Sequence, residues 1–156
     1  MSGNGAPTIF VDGEGARVAI VASRWHTEVM DGLIAGAQAA LAEAKVTDVT
    51  VARAPGSFEL PILCHAYARQ GFDAVIALGV IIRGVTPHFE YVSAAATDGL
   101  SRVALDTGVP IGFGLLTTDD EAQALDRAGL ADSREDKGRE AVEAALSTWN
   151  VLRTLG

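Results

Sequence analysis

The densest set of groups able to do chemistry lies in the run IIRGVTPHFEYV, residues Ile81–Val92. Gly84 would let the backbone approach a ligand closely, and the amides of Val85 and Thr86 would stand at the mouth of a helix. Free N–H groups and the positive end of the helix dipole make such a mouth a ready anion site. His88 follows Pro87 at the rim of that site, and imidazole is the side chain best suited to moving protons near neutral pH. An anion site beside a proton carrier implies chemistry on a phosphorylated substrate. The same string also fits a plain loop followed by a surface histidine. No His, Cys and carboxylate cluster has metal-ligand spacing, and Asp119–Glu121 reads as the charged start of a helix.

Groups like these need strands and helices to position them. Apolar runs at Arg17–Ala22, Val49–Arg53, Ala74–Val80 and Val109–Leu116 suit strands buried on both faces of a parallel sheet. Between them, Thr27–Lys45 carries one apolar stripe (Val29, Met30, Leu33, Ile34, Ala37, Leu41, Ala44). The segment after Pro87 carries another (Val92, Ala95, Ala96, Leu100, Val103), and the last helix a third (Val142, Ala145, Leu146, Trp149, Leu152). Thr118 with Glu121 forms a capping-box pattern, and Ser133 with Asp136 resembles one. Thr86 and Pro87 suit an N-cap and first helical position, and Gly129 suits the end of a short helix at Glu121–Ala128. Ile9–Val11 reads as a short strand.

Strand alternating with helix predicts an α/β sandwich of right-handed βαβ units. Residues 1–8 read as a flexible arm and 9–156 as one domain. In an open parallel sheet, ligands bind at the carboxyl ends of the strands. Four segments fall there: Ser23–Glu28 (SRWHTE), Ala54–Pro61 (APGSFELP), Ile81–Val92 and Phe113–Thr118. Two of the three histidines, His26 and His88, lie in them.

Composition narrows the function. The 156 residues carry a formal charge of −8, which argues against a general nucleic-acid or anionic-membrane binder. An acidic chain that takes a phosphate must do so at a small, locally positive place. No apolar run nears the roughly 20 residues needed to span a bilayer, and the N-terminus lacks the pattern of a secretory signal. The single cysteine, Cys64, has no internal partner, so a cytoplasmic location is expected. A mean hydropathy of +0.25 suggests apolar surface buried against other subunits.

Taken in order, S-R-W-H, P-G-S-F-E-L-P, A-L-G-V-I-I-R-G-V-T-P-H-F-E-Y-V, D-R-A-G and E-D-K-G resemble the lumazine synthase family over about residues 9–154. The resemblance implies a flavodoxin-like three-layer α/β/α sandwich on a four-stranded parallel sheet. It implies a homopentamer with active sites between subunits, leaving open a sixty-subunit icosahedral shell, and Ile9–Val11 would pair with the adjacent subunit. It implies condensation of 5-amino-6-(D-ribitylamino)uracil with 3,4-dihydroxy-2-butanone 4-phosphate, the penultimate step of riboflavin biosynthesis, with no cofactor.

Roles follow position by position. Trp25 would stack on the pyrimidine, and its broad indole also suits retention of lumazine or riboflavin. Ser57, Phe58 and Glu59 would hold the ribityl chain and ring, and Val80, Ile81 and Ile82 would read the uracil edge through backbone groups. Gly84, Val85 and Thr86 would form the phosphate loop. Arg127 would clamp the same phosphate from the neighbouring subunit, and Phe113 would close the pocket from there. Lys137 would face the uracil, and His88 would transfer protons. Each has a plainer reading: a core tryptophan, a helix-capping Glu59, sheet packing for Phe113, a solvated helix end for Arg127. His26, His65 and Cys64 carry no assigned role, Arg83 would brace its loop or a subunit contact, and Trp149 would be core or interface.

Other functions are less well matched. A flavodoxin-type electron carrier would need a hydroxyl- and glycine-rich loop after the first strand, and SRWHTE has no glycine. A response regulator would need acidic residues at that strand end. A related pentameric riboflavin synthase stays open. A non-catalytic flavin-binding or shell-forming relative would have no need of a phosphate clamp.

Overall fold

The computed structural model describes residues 4–7 and 10–155. Its sheet has four parallel strands, β1 (Arg17–Ser23), β2 (Asp48–Ala54), β3 (Ala74–Ile82) and β4 (Ile111–Thr118), in the order β2-β1-β3-β4. Five α-helices accompany them: α1 (Thr27–Glu43), α2 (Leu60–Ala68), α3 (His88–Thr107), α4 (Glu121–Leu125) and α5 (Lys137–Leu152), with a 3₁₀ turn at Ser57–Glu59. The result is the expected α/β/α sandwich.

Alternation of side chains divides the core in two. Val18, Ile20, Ile76, Leu78 and Leu116 face α1 and α5, where they meet Met30, Leu33, Leu41, Val142 and Leu146. Ala19, Val21, Val75, Ala77 and Leu115 face α2 and α3, meeting Leu60, Cys64, Leu100 and Val103. β1 and β3 are central and almost wholly buried, as their continuous apolar runs require. β2 departs from the expectation of burial on both faces. It is an edge strand with only Ala54 buried, and Val51 is exposed. Small residues let α1 and α5 approach closely: a Cβ on Gly138 would strike the carbonyl oxygen of Leu33.

The helix ends correct several expectations. Asp120, not Thr118, caps α4, its Oδ1 accepting from the amide of Gln123 at 2.8 Å. Thr118 instead donates its hydroxyl to the carbonyl of Asp120. Asp136, not Ser133, caps α5 by accepting from the amide of Arg139, while Ser133 Oγ knits the preceding loop to Leu125 and Leu130. Pro87 occupies the N-cap of α3, one residue later than predicted, and Thr86 Oγ1 accepts from the amide of His88 at 3.5 Å. α4 stops at Leu125 instead of Ala128, although Gly129 has the left-handed φ of +71° expected of a terminating glycine. Phe10 and Val11 form no strand. Ile9 lies outside the described residues, as do residues 1–3 and 8 of the N-terminal arm. No helix among the described residues is long and apolar enough to cross a membrane.

Candidate active site

With strand order β2-β1-β3-β4, the crossover that leaves β1 runs one way to β2, and the next runs back past β1 to β3. A crevice must open outside the carboxyl ends of β1 and β3, where the crossovers diverge. A cleft of about 950 Å³ lies there. It is lined from β1 by Trp25 and His26, from the turn after β2 by Pro55–Glu59, from β3 by Val80–Ile82, and from α3 by His88, Tyr91, Val92 and Ala95. The groups on these walls able to move protons are His26, Ser57, Glu59, His88 and Tyr91. Trp25, Phe58 and Tyr91 add aromatic surface and Val80–Ile82 and Val92 aliphatic surface, which suits orienting a flat heterocycle.

Each wall has a local cause. Trp25 is 65% exposed and so is no core residue. Its indole lies over the turn at Gly56, where a Cβ would come within 3.2 Å of Trp25 Nε1 and 3.4 Å of Glu59 Oε2. A side chain there would press the ring and the carboxylate apart by a few tenths of an ångström. His26 holds a left-handed backbone, φ 58° and ψ 72°, which turns the chain from β1 into α1. Strain of this kind in a residue with a Cβ collects at sites that need a fixed corner. Arg53 fixes the same corner from β2, donating to the carbonyls of Ala22 and Ser23 at 3.2 and 2.9 Å.

The 3₁₀ turn rests on β3 at Gly79, whose missing side chain leaves room for Ser57 Oγ, Leu60 and Leu115. Ser57 is buried, and its hydroxyl has no hydrogen-bond partner among the described residues. Phe58 is exposed into the cleft. Glu59 stands at the N-cap position of α2, yet its side chain makes no capping bond, so its carboxylate is available to the cleft.

Gly84–Thr86 continue from β3 beside this cleft, exposed and ending at the start of α3. Arg83 anchors the segment. Its amide donates to the carbonyl of Thr118 at 2.9 Å, and its Nε donates to Asp119 Oδ1 at 2.9 Å. Its Nη1 donates to Glu90 Oε1 at 2.5 Å, and its guanidinium lies 4.4 Å over the Phe89 ring. Hydrogen bonding to Arg83 holds the Glu90 carboxyl below its ordinary range. Arg83 thus braces its loop, one of the two roles expected of it.

Phe113, Arg127 and Lys137 are not among the residues lining the cleft. Phe113 stands half-exposed on edge strand β4. Arg127 lines a separate groove with Glu28, Asp126 and Arg134. An antiparallel bridge between Ala128 and Asp136 brings the D-R-A-G and E-D-K-G motifs side by side. The amide of Lys137 donates to the carbonyl of Arg127 at 3.0 Å. Glu135 then sits between the two cations, 3.5 Å from Arg127 Nε and 3.1 Å from Lys137 Nζ. Arg127 is therefore no solvated helix end but part of a built ionic cluster.

Sequence reasoning passed over Tyr91 and gave His26 no role, although both line the cleft. Tyr91 and Ala95 follow His88 by three and seven positions, a helical spacing that could have found them. Ala95, counted into the buried stripe of α3, is exposed on the cleft side. Cys64 is buried and its thiol is pushed up to about 12 by desolvation, which leaves it inert at neutral pH. Trp149 packs partly buried against the α1–α5 side, with Arg153 4.0 Å over its ring. No group of three or more His, Cys, Asp or Glu among the described residues is arranged to hold a metal.

Residues 15–153 match the family model described as 6,7-dimethyl-8-ribityllumazine synthase. A protein of that name from Kineococcus radiotolerans is 65% identical over 153 residues, covering 98% of this chain and 95% of its own length. The corresponding protein of Leifsonia xyli subsp. xyli is 64% identical over 157 residues, covering 99% of each chain. That of Streptomyces coelicolor is 55% identical over 156 residues, covering 99% and 97%. The matched span includes the residues of the cleft and of both cationic motifs. The chain belongs to the 6,7-dimethyl-8-ribityllumazine synthase family.

Proposed function

We propose that this chain condenses 5-amino-6-(D-ribitylamino)uracil with 3,4-dihydroxy-2-butanone 4-phosphate, giving 6,7-dimethyl-8-ribityllumazine and inorganic phosphate as a step of riboflavin biosynthesis. The observation that carries the reading is one cleft bounded by Trp25, the Ser57–Glu59 turn, the end of β3 and His88. Trp25 would stack on the pyrimidine, Ser57–Glu59 would hold the ribityl chain, and the backbone of Val80–Ile82 would read the uracil edge. Gly84, Val85 and Thr86 would bind the phosphate at the mouth of α3. The 5-amino group attacks the ketone and loses water to form an imine. Phosphate leaves by elimination, the enol tautomerises, and the ribityl-bearing nitrogen closes the ring with loss of a second water. Each step moves protons, which His88 would carry, a reading supported by its position in the cleft lining. An amine and a ketone react readily once aligned, so orientation supplies much of the acceleration.

The site would be completed by a neighbouring copy. Phe113, Arg127 and Lys137 lie away from the cleft of their own chain, which supports their delivery to another subunit's cleft in a homopentamer or a shell of pentamers. A cytoplasmic setting is supported by the lone, buried, unreactive Cys64. Mixing the purified protein with both substrates and recording the lumazine chromophore tests the reaction. No chromophore would refute it, and riboflavin formed from lumazine alone would favour the riboflavin synthase reading. Light scattering tests the assembly, and a monomer would refute the shared site.

A further inference from the structure

The proposed phosphate loop sits beside two carboxylates that ought to repel a dianion. The register of β3 with β4 pairs Ile82 with Thr118, so Asp119 stands opposite Arg83 at the threshold of Gly84–Thr86. Glu90 lies in the first turn of α3, two residues beyond His88. Both side chains are more than half exposed, at 65% and 56%, so both face the solvent from which an anion arrives. A carboxylate in the first turn favours the helix dipole but competes with any other anion for it. Left bare, this pair would offset much of what the amides and the dipole offer a phosphate.

Arg83 meets both at once, through Nε to Asp119 and Nη1 to Glu90, with Phe89 covering one face of the guanidinium. A single exposed ion pair is worth little to stability. Here one cation holds two anions, and the planar fork of arginine suits it to bonding two partners in fixed directions. Holding Glu90 at Nη1 also ties its carboxylate to Arg83.

We propose that Arg83 is a positioning residue that acts as a charge shield: it binds Asp119 and Glu90 so that a phosphate dianion can occupy the neighbouring loop. The proposal rests on the loop at Gly84–Thr86 being the phosphate site. It predicts that removing the two carboxylates restores the anion affinity lost with Arg83, which mere loss of a brace would not allow.

The probe is inorganic phosphate, measured by calorimetry on the assembled protein and as a competitive inhibitor against the sugar phosphate. Arg83→Ala should weaken phosphate by roughly tenfold, the order expected when one formal charge beside a dianion is lost in partly screened solvent. The KM of the ribityl substrate should stay within about twofold. The triple variant Arg83→Ala, Glu90→Gln, Asp119→Asn loses the same bonds but carries no bare carboxylates, and it should regain most of the affinity. Arg83→Lys should fall between, because an ammonium neutralises charge without bonding both partners in plane. If Arg83→Ala binds phosphate as tightly as the unaltered protein, the shield is refuted. If the triple variant stays as weak as Arg83→Ala, the lost contacts and not the charges matter, and the proposal also fails. If the unaltered protein takes no phosphate, the loop assignment itself falls and the shield with it.

Discussion

Gly79 offers the sharpest link between packing and substrate binding. A Cβ there would stand 2.9 Å from Ser57 Oγ and 3.0 Å from both Leu60 Cδ1 and Leu115 Cδ1. Leu60 and Leu115 are 0% and 4% exposed, so neither can swing into solvent, and the 3₁₀ turn must lift instead. Overpacking of this kind costs about 2 kcal/mol, within the usual range of roughly 1–3. For a chain of this length that cost lowers Tm by about 4–8 °C. Gly79→Ala should also raise the KM of the ribityl substrate roughly tenfold, because a turn displaced by a fraction of an ångström carries Phe58 and Glu59 with it. Phosphate affinity should hold, since Gly84–Thr86 lie beyond the end of β3. Adding Ser57→Ala removes the nearest obstacle at little cost, because that hydroxyl has no partner among the described residues. The double variant should recover part of both losses. Calorimetry and steady-state kinetics, with each substrate varied in turn, supply the readouts. An unchanged Tm together with an unchanged KM would show that the turn does not rest on Gly79.

Four further outcomes test the site and the fold. His88→Ala should cut turnover by about 10²–10⁴-fold and leave measurable activity; an unaltered rate at saturating substrates removes His88 from proton transfer. Arg127→Ala should chiefly weaken the sugar phosphate, and mixed assemblies of the His88→Ala and Arg127→Ala chains should recover activity if one site takes each residue from a different subunit; no recovery after verified mixing argues for a site within one chain. Riboflavin should quench tryptophan fluorescence, and Trp25→Ala should abolish most of it; quenching retained in the variant points to Trp149. The Glu43 carboxyl is held low by its bond to Arg139, so that pair contributes stability above the ordinary glutamate value near 4.5 and loses it as pH falls through the lowered one. Melting curves between about pH 3 and 6 should therefore be flatter in acid for Glu43→Gln, and parallel curves would dismiss the clamp.

The parts of the fold that the sequence revealed are those where burial leaves no choice. β1 and β3 are continuous apolar runs because both faces of a central parallel strand are covered. β2 misled because a short apolar run does not say whether its strand is central or at an edge, and its half-exposed residues follow from having one neighbour only. The caps of α4 and α5 were misplaced for a related reason. Several hydroxyl and carboxylate residues crowd each start, and the one that caps is decided by where the loop leaves it: Asp120 and Asp136 reach the free amides, while Thr118 and Ser133 donate to the carbonyls of Asp120 and Leu125. On α3, Ala95 reads as core because an apolar residue facing a cleft looks the same as one facing a sheet. The cleft walls themselves were legible because strand ends can be counted off in order. The pairing of Arg127 with Glu135 and Lys137 was not, since it depends on a bridge between residues that no periodic pattern connects.

Charge explains why the proposed site should not be complete in one copy. Beside Gly84–Thr86, the bonded group of Arg83, Glu90 and Asp119 carries one negative charge in excess. Backbone amides and a helix dipole offer only about half a positive charge against that. A dianion settling there therefore needs a further cation, and Arg127 lines a different groove of the same chain. The apolar groups show the same incompleteness: Trp25, Phe58 and Tyr91 of the cleft, and Val85 and Phe113 outside it, are each at least half exposed. A chain with Arg127 and Arg134 in one groove and its aromatic cleft open elsewhere can supply both needs by one contact. That contact would bring Arg127 and Phe113 of one copy against Val85 and Trp25 of the next. Burial of the aromatics would drive association, and the anion site would become positive only when association is complete.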